Sequence, residues 1–288
     1  MSTQIANQAV LTYRCGTNDC SVASNIATTQ LRGPLSVTKL ALGDSYRAGE
    51  ALTFLLLLEN VGVSQLTNIE LADDLGAFTL PGPVQVTPLD CAGRALLFVD
   101  GALRAELTPV ANDSGAVFAL GSLPAGSRAL IFYRARVNSY APLATGSTIT
   151  NNVVAAAPGI SEPVLATCTL TVADYADVSI LKAMSPNPLT EGGALTYAFT
   201  IYNYGNSPAE DLVLSDQFSP VPLTIAVALD GAPVGSACFS YNEGNFVYPQ
   251  ACSGMTPSVP AASFSQDPAT GFVAINPGMM LLTVSGII

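Results

Sequence analysis

The chain repeats itself at a constant spacing, and that spacing limits its fold more than any other feature. Lys39 recurs as Lys182, Gly49 as Gly192, Ala51-Leu52-Thr53 as Ala194-Leu195-Thr196, Asn60 as Asn203, Gly62 as Gly205 and Asp73 as Asp216, always 143 residues on. A gap-free offset held from Lys39 to Asp73 marks two copies of one domain. The 288 residues are enough to give each copy its own core.

Each copy reads as strands. Leu35-Ser-Val37-Thr-Lys39 alternates apolar and polar, Leu52 to Leu58 is a buried run, and Leu66 to Leu71 alternates into Asp73-Asp74. Asp100-Gly101 and Asp230-Gly231 are hairpin turn signals, and late strands begin near Leu130 and Leu281. No stretch of helical length carries a 3.6-residue period. Strands of roughly 5–8 residues with turns every 8–12 or so predict an all-β chain of sandwiches.

Outside the repeat lie two hairpins. The first runs Ile5-Ala-Asn7-Gln-Ala-Val10-Leu-Thr-Tyr13, a Cys15-Gly-Thr-Asn-Asp-Cys20 turn, then Val22-Ala-Ser-Asn25-Ile26 to Leu31. The second joins Ile149-Thr-Asn151-Asn152-Val-Val154 to Ala166-Thr-Cys168-Thr-Leu170. If each hairpin belongs to the copy that follows it, the chain is two complete domains. If each completes the copy before it, the second copy lacks its last strands and residues 1–33 have no core of their own. The polar Asp174-Tyr175-Ala-Asp177 segment reads as an interdomain linker.

Composition removes several functions. Net charge is −11 with ten Lys plus Arg, so nothing predicts a nucleic-acid or anionic-membrane partner. There is no His, the commonest general base and metal ligand. No Gly-rich phosphate loop, nucleophile elbow or paired-carboxylate site appears, so neither enzyme activity, a cofactor nor a small-molecule substrate is expected. Asp73-Asp74 and Glu210-Asp211 make poor calcium cages, because adjacent strand residues point to opposite faces; they read as solvated charge. The longest apolar run is too short to span a membrane, and Met1-Ser-Thr-Gln lacks the features of a classical signal peptide. Only 11% of residues are charged, which suits a surface covered by neighbouring subunits.

Lys182-Ala-Met-Ser185-Pro186, Gly192-Gly-Ala-Leu-Thr-Tyr197 and Asn203-Tyr-Gly205 followed by an Asp strand resemble the DUF11 repeat of bacterial surface proteins. The first copy carries the pattern more weakly, with Asp44-Ser45-Tyr46 for Ser-Pro and Phe54 for Tyr197. The resemblance implies two tandem immunoglobulin-like sandwiches that end in an Asn-containing strand and a final strand. It therefore favours hairpins that complete the copy before them: a donor hairpin in 1–33, a first sandwich in 35–172, and a second in 178–288 without its final strands. It also implies kinship with subunits of spore-surface appendages and other extracellular fibres.

On that parsing the chain is a homopolymer subunit, outside the cell or on a spore, that inserts its N-terminal hairpin into a neighbour's open sandwich. Donor residues are Ile5, Asn7, Val10, Tyr13, Val22, Ile26 and Leu31. The acceptor residues are Val178, Tyr197, Leu281, Val284 and Ile288. Cys15, Cys20, Cys238 and Cys252 are candidate cross-links, the last two flanking a hairpin-like stretch from Phe239 to Tyr248. Cys91 and Cys168 read as thiols in strands. Lys39 and Lys182 read as solvated, and the Asn residues as turn formers. Gram-positive surface sandwiches imply an alternative, a Lys–Asn isopeptide bond from these lysines to Asn151, Asn152 or Asn7, aided by Asp73 or Asp216. The competing function is a two-domain adhesin or coat-associated monomer, its hairpin folded back on its own chain, binding through loops at 78–95 or 238–257.

Overall fold

The computed structural model describes residues 3–31, 33–82, 84–112, 114–250 and 256–288, without the side chains of Thr3, Gln30 and Leu31. Among the described residues the fold is all-β apart from one short 3-10 turn at Ser236–Cys238. Its sheets gather around two main apolar cores.

In the first sandwich, one sheet runs in the order Ala102–Leu107, Leu89–Val99, Arg128–Val137, Ala51–Asn60, Leu35–Ala41. The facing sheet runs Val110–Asn112, Gly115–Leu123, Leu66–Asp73, Thr148–Ala156, Val164–Val172, Ser45–Tyr46. Period-two alternation sets the core. Leu52, Phe54, Leu56 and Leu58 point inward from one strand, and Ala129, Ile131, Tyr133, Ala135 and Val137 from its neighbour. Burying each large side chain contributes about 1.5–3 kcal/mol. Residues 89–95, read from sequence as part of a binding loop, belong to a strand instead, because Leu89 and Ala95 alternate into the core.

The second sandwich repeats the first sheet: Val178–Ser185, Ala194–Asn203, Gly278–Ile287, Ile225–Leu229, Ala232–Val234. Its facing sheet has three strands, Leu214–Gln217, Asn245–Tyr248 and Ser240–Asn242. These match the first half of the six-stranded sheet. Among the described residues, nothing occupies the places of Thr148–Ala156 and Val164–Val172.

Sequence landmarks of the repeat have matching structural roles. Asn60 Nδ2 donates to the carbonyls of Ser64, Leu123 and Pro124 while its Oδ1 accepts from Gly62 N. Asn203 does the same with Ser207, Pro260 and Gly205. Glycine is required two residues on, since a Cβ at Gly205 would stand 2.2 Å from Tyr175 O. Asp100-Gly101 and Asp230-Gly231 all have positive φ, as a type I′ hairpin turn demands. The segment read as a linker is pinned: Asn206 Nδ2 donates to Leu143 and Ala173 carbonyls, and its Oδ1 accepts from Tyr175 N.

Candidate functional site

In the first sandwich the Thr148–Ala156 strand pairs with Leu66–Asp73, setting Val153 opposite Asp73. Its inward side chains are Ile149, Asn151, Val153 and Ala155, joined from the return strand by Leu170 and Val172. Asp74 holds the hairpin at the edge of this face, accepting from Asn152 N at 2.8 Å and Asn152 Nδ2 at 2.7 Å. The hairpin thereby closes a water-free space over Lys39.

There the sequence reading needs correcting. Lys39 and Asp73 are not solvated: the side chains of both are 0% exposed, with Nζ 2.8 Å from Asp73 Oδ2. Asn151 is no turn residue either, but a buried strand residue. Tyr133 Oη donates to Asp73 Oδ2 at 2.6 Å and accepts from Asn151 Nδ2 at 3.2 Å. Two polar atoms in this network stay unsatisfied by any well-aligned hydrogen bond among the described residues, Lys39 Nζ and Asn151 Oδ1. Removing an ion pair from water costs several kcal/mol per ion unless every partner is satisfied. Here one is not.

Burial lowers the Lys39 pKa, and the attraction of Asp73 only partly offsets it. The same burial, with Asp73 nearby, pushes the Tyr133 phenol well above its ordinary value. A lysine pushed toward the neutral amine is a nucleophile. Tyr133 links the carboxamide of Asn151 to the Lys39–Asp73 pair.

The second sandwich carries the same residues without the cover. Val178, at the position of Leu35, is 44% exposed against 5%. Lys182 and Asp216 pair as Lys39 and Asp73 do, with side chains 39% and 19% exposed. Lys182 Nζ lies 5.1, 5.6 and 5.7 Å from the ring centroids of Tyr197, Phe199 and Phe218. Beside it runs an open groove of about 160 Å³, lined by Val178, Ile180, Leu212, Leu214, Tyr248 and Met280 among others. The Leu214–Gln217 strand has a free edge on the side where its counterpart Leu66–Asp73 holds the hairpin.

Of the acceptor residues expected from sequence, only Val178 lines the groove. Tyr197 and Val284 are buried in the second core, and Ile288 packs at its margin. Leu281 alternates to the opposite face from Leu282 and Val284. Sequence reasoning passed over Ile180, Leu212, Leu214 and Met280. Applying the 143-residue offset to Val37, Ile69 and Leu71 finds the first three.

The N-terminal strands pair only with one another among the described residues: Thr3–Asn7 with Ala27–Leu31, and Val10–Cys15 with Asn18–Ala23. Ile5, Val10, Tyr13, Val22 and Ile26 are all exposed, as is Asn7; the Leu31 side chain lies outside the described residues. Leu11, Tyr13 and Val22 share one face of the hairpin tip with Cys15 and Cys20. Val10 lies on the other, with the Arg14–Asp19 ion pair.

Cys15 and Cys20 are free thiols, as are Cys91 and Cys168. Contact with Cys15 raises the Cys20 pKa, while burial pushes Cys91 up to about 11. Cys238 is disulfide-bonded, and Cys252 lies outside the described residues.

No family model matches the sequence, and no curated protein matches it. Among solved structures the chain is similar to BcpA, the major pilin subunit of Bacillus cereus (11% identity, 96% of this chain, 73% of that one, TM-score 0.35). It is similar to domains D2 and D3 of the major pilin SpaD from Corynebacterium diphtheriae (12%, 83% and 88%, TM-score 0.35). It is also similar to a family 123 glycoside hydrolase from Clostridium perfringens (9%, 49% and 27%, TM-score 0.32). Likenesses this remote, shared by pilins and a hydrolase, carry no function across.

Proposed function

We propose that the chain is a structural subunit of an extracellular or spore-surface filament, and that it polymerises head-to-tail. The N-terminal hairpin of one copy fills the open place in the second sandwich of the next. The observation that carries this reading lies within the molecule: the first sandwich has a hairpin in that place, the second has none among the described residues, and an unpacked hairpin stands at the opposite end of the chain. The strands are alike in sequence: Ile5-Ala-Asn7 matches Ile149-Thr-Asn151, and each stands in an antiparallel hairpin.

An open edge beside an apolar groove is an aggregation hazard unless something covers it. Strand addition by a hairpin covers both at once. Because donor and acceptor are different surfaces, the contact is heterologous and propagates unless it closes a ring. Negative-stain microscopy of the purified chain and of one lacking residues 1–33 tests this. Filaments from the first and none from the second are expected; filaments from the truncated chain, or uniform monomers from the full one, contradict it.

A further inference from the structure

The five-stranded sheet of each sandwich turns one face away from its core, and the two outer faces are built differently. In the first sandwich Leu96 faces Phe132, Phe132 faces Leu55 and Leu55 faces Leu40, one apolar row across four strands. Phe98, Leu130 and Leu57 make a second row beside it. These side chains alternate away from the core, with Leu57 39% and Leu40 53% exposed. Two hollows of about 370 and 440 Å³ open on the rows, and Phe98 and Phe132 line both. In the second sandwich the places of Leu96, Phe132, Leu55 and Leu40 are held by Ala228, Thr283, Ala198 and Ala183. The same sheet thus folds with small and polar groups on this face, so folding does not explain the large ones. Exposed apolar side chains gathered in one patch mark a docking surface.

Charge says what docks there. Arg94, Arg104, Arg128, Arg134 and Arg136, half of the chain's ten cations, stand on three neighbouring strands of this one sheet. Glu106 takes up Arg94 and Glu59 takes up Arg128, while Arg104, Arg134 and Arg136 make no ion pair among the described residues. Arg94 and Arg134 wall one hollow, which suits a side chain with an apolar stem and a carboxylate end. Residues 178–288 carry the opposite balance, seven carboxylates against Lys182 alone, and Lys182 is already paired with Asp216. Two copies of the arginine face would repel each other, whereas this face and the second sandwich attract.

We infer that the outer face of the first sandwich binds the acidic second sandwich of another copy, so that filaments lie side by side, half a subunit out of step. The contact uses neither the N-terminal hairpin nor its groove, so it stands or falls separately from the donor-hairpin reading.

Negative-stain microscopy of the full chain tests it. Paired filaments are expected at low ionic strength, parting into single filaments in about 0.5 M salt, where screening reaches within a few ångströms. Arg134→Glu with Arg136→Glu should cut pairing about tenfold and leave filament length unchanged. Leu55→Ala with Phe132→Thr, which copies the second sandwich, should do the same while circular dichroism stays that of the wild type. Single filaments from the wild type at low salt overturn the lateral contact and leave the donor-hairpin reading intact. Pairing that survives both double variants overturns the face assigned to it. A chain that forms no filaments overturns the donor-hairpin reading, and the lateral contact is then judged by sedimentation. Dimers that dissociate with salt and with the arginine variant support it, and monomers at low salt overturn it as well.

Discussion

The two sandwiches share a lysine, an aspartate and an Asn-x-Gly turn, and they differ by one strand pair. Where Thr148–Ala156 and Val164–Val172 are present, Leu35 is covered and Lys39 is sealed with Asp73. Where no pair is present, Val178 and Ile180 are exposed and Lys182 is reachable. Burial of this lysine is therefore a property of the hairpin, not of the strand that bears it. Strands of one pattern, Leu35 to Lys39 and Val178 to Lys182, stand here in a sealed core and beside an open groove.

That contrast can be broken. The largest effect is expected at Ile180→Asp, which puts a carboxylate on the floor of the second groove. An unpaired charge buried by the incoming hairpin costs about 5 kcal/mol, so filaments should be lost by microscopy while the first sandwich stays folded by circular dichroism. Val37→Asp, at the equivalent position, should instead unfold the first sandwich. If both variants behave alike, the sandwiches do not differ as described.

Next comes Lys39→Met, which leaves Asp73 buried beside Tyr133 without its cation. Breaking a buried pair from one side costs about 3–5 kcal/mol. Chemical denaturation should show that loss, whereas Lys182→Met, at a partly exposed pair, should cost the unassembled chain far less. Equal losses would erase the distinction between sealed and open sites.

The smallest effect concerns pH. Lys39 has its folded pKa lowered below 10.5 by burial. The unfolded chain then binds that proton more tightly. Stability rises with pH through the window between the lowered value and 10.5, by at most about 1.4 kcal/mol per pH unit. Denaturation of the chain with and without Lys39→Met, across this pH window, isolates this contribution. A difference that stays flat or falls with pH contradicts the assignment.

Much of the fold was legible because its signals are local. Leu52 to Leu58 and the Asp-Gly turns each announce a strand or a hairpin within a few residues, and the 143-residue offset ties the copies together. The Lys39 site was not legible, because Lys and Asp are almost never fully buried unless paired, so a charged residue reads as solvated by default. Its partners come from distant strands, Asp73 and Asn151, and nothing local to Lys39 marks them. The groove was legible in place but not in detail. Alternation along Gly278–Ile287 buries Val284 in the core and turns Leu281 away, a distinction that depends on knowing which face the missing hairpin covers.

The central claim is that the Leu214–Gln217 edge is completed by another copy's hairpin. Amide hydrogen exchange on that strand, in monomers and polymers separated by size, tests it most directly. The account predicts slow exchange at the strand's outward amides in the polymer and fast exchange in the monomer, as in a chain lacking residues 1–33. Protection in the monomer, or fast exchange within the polymer, would contradict it.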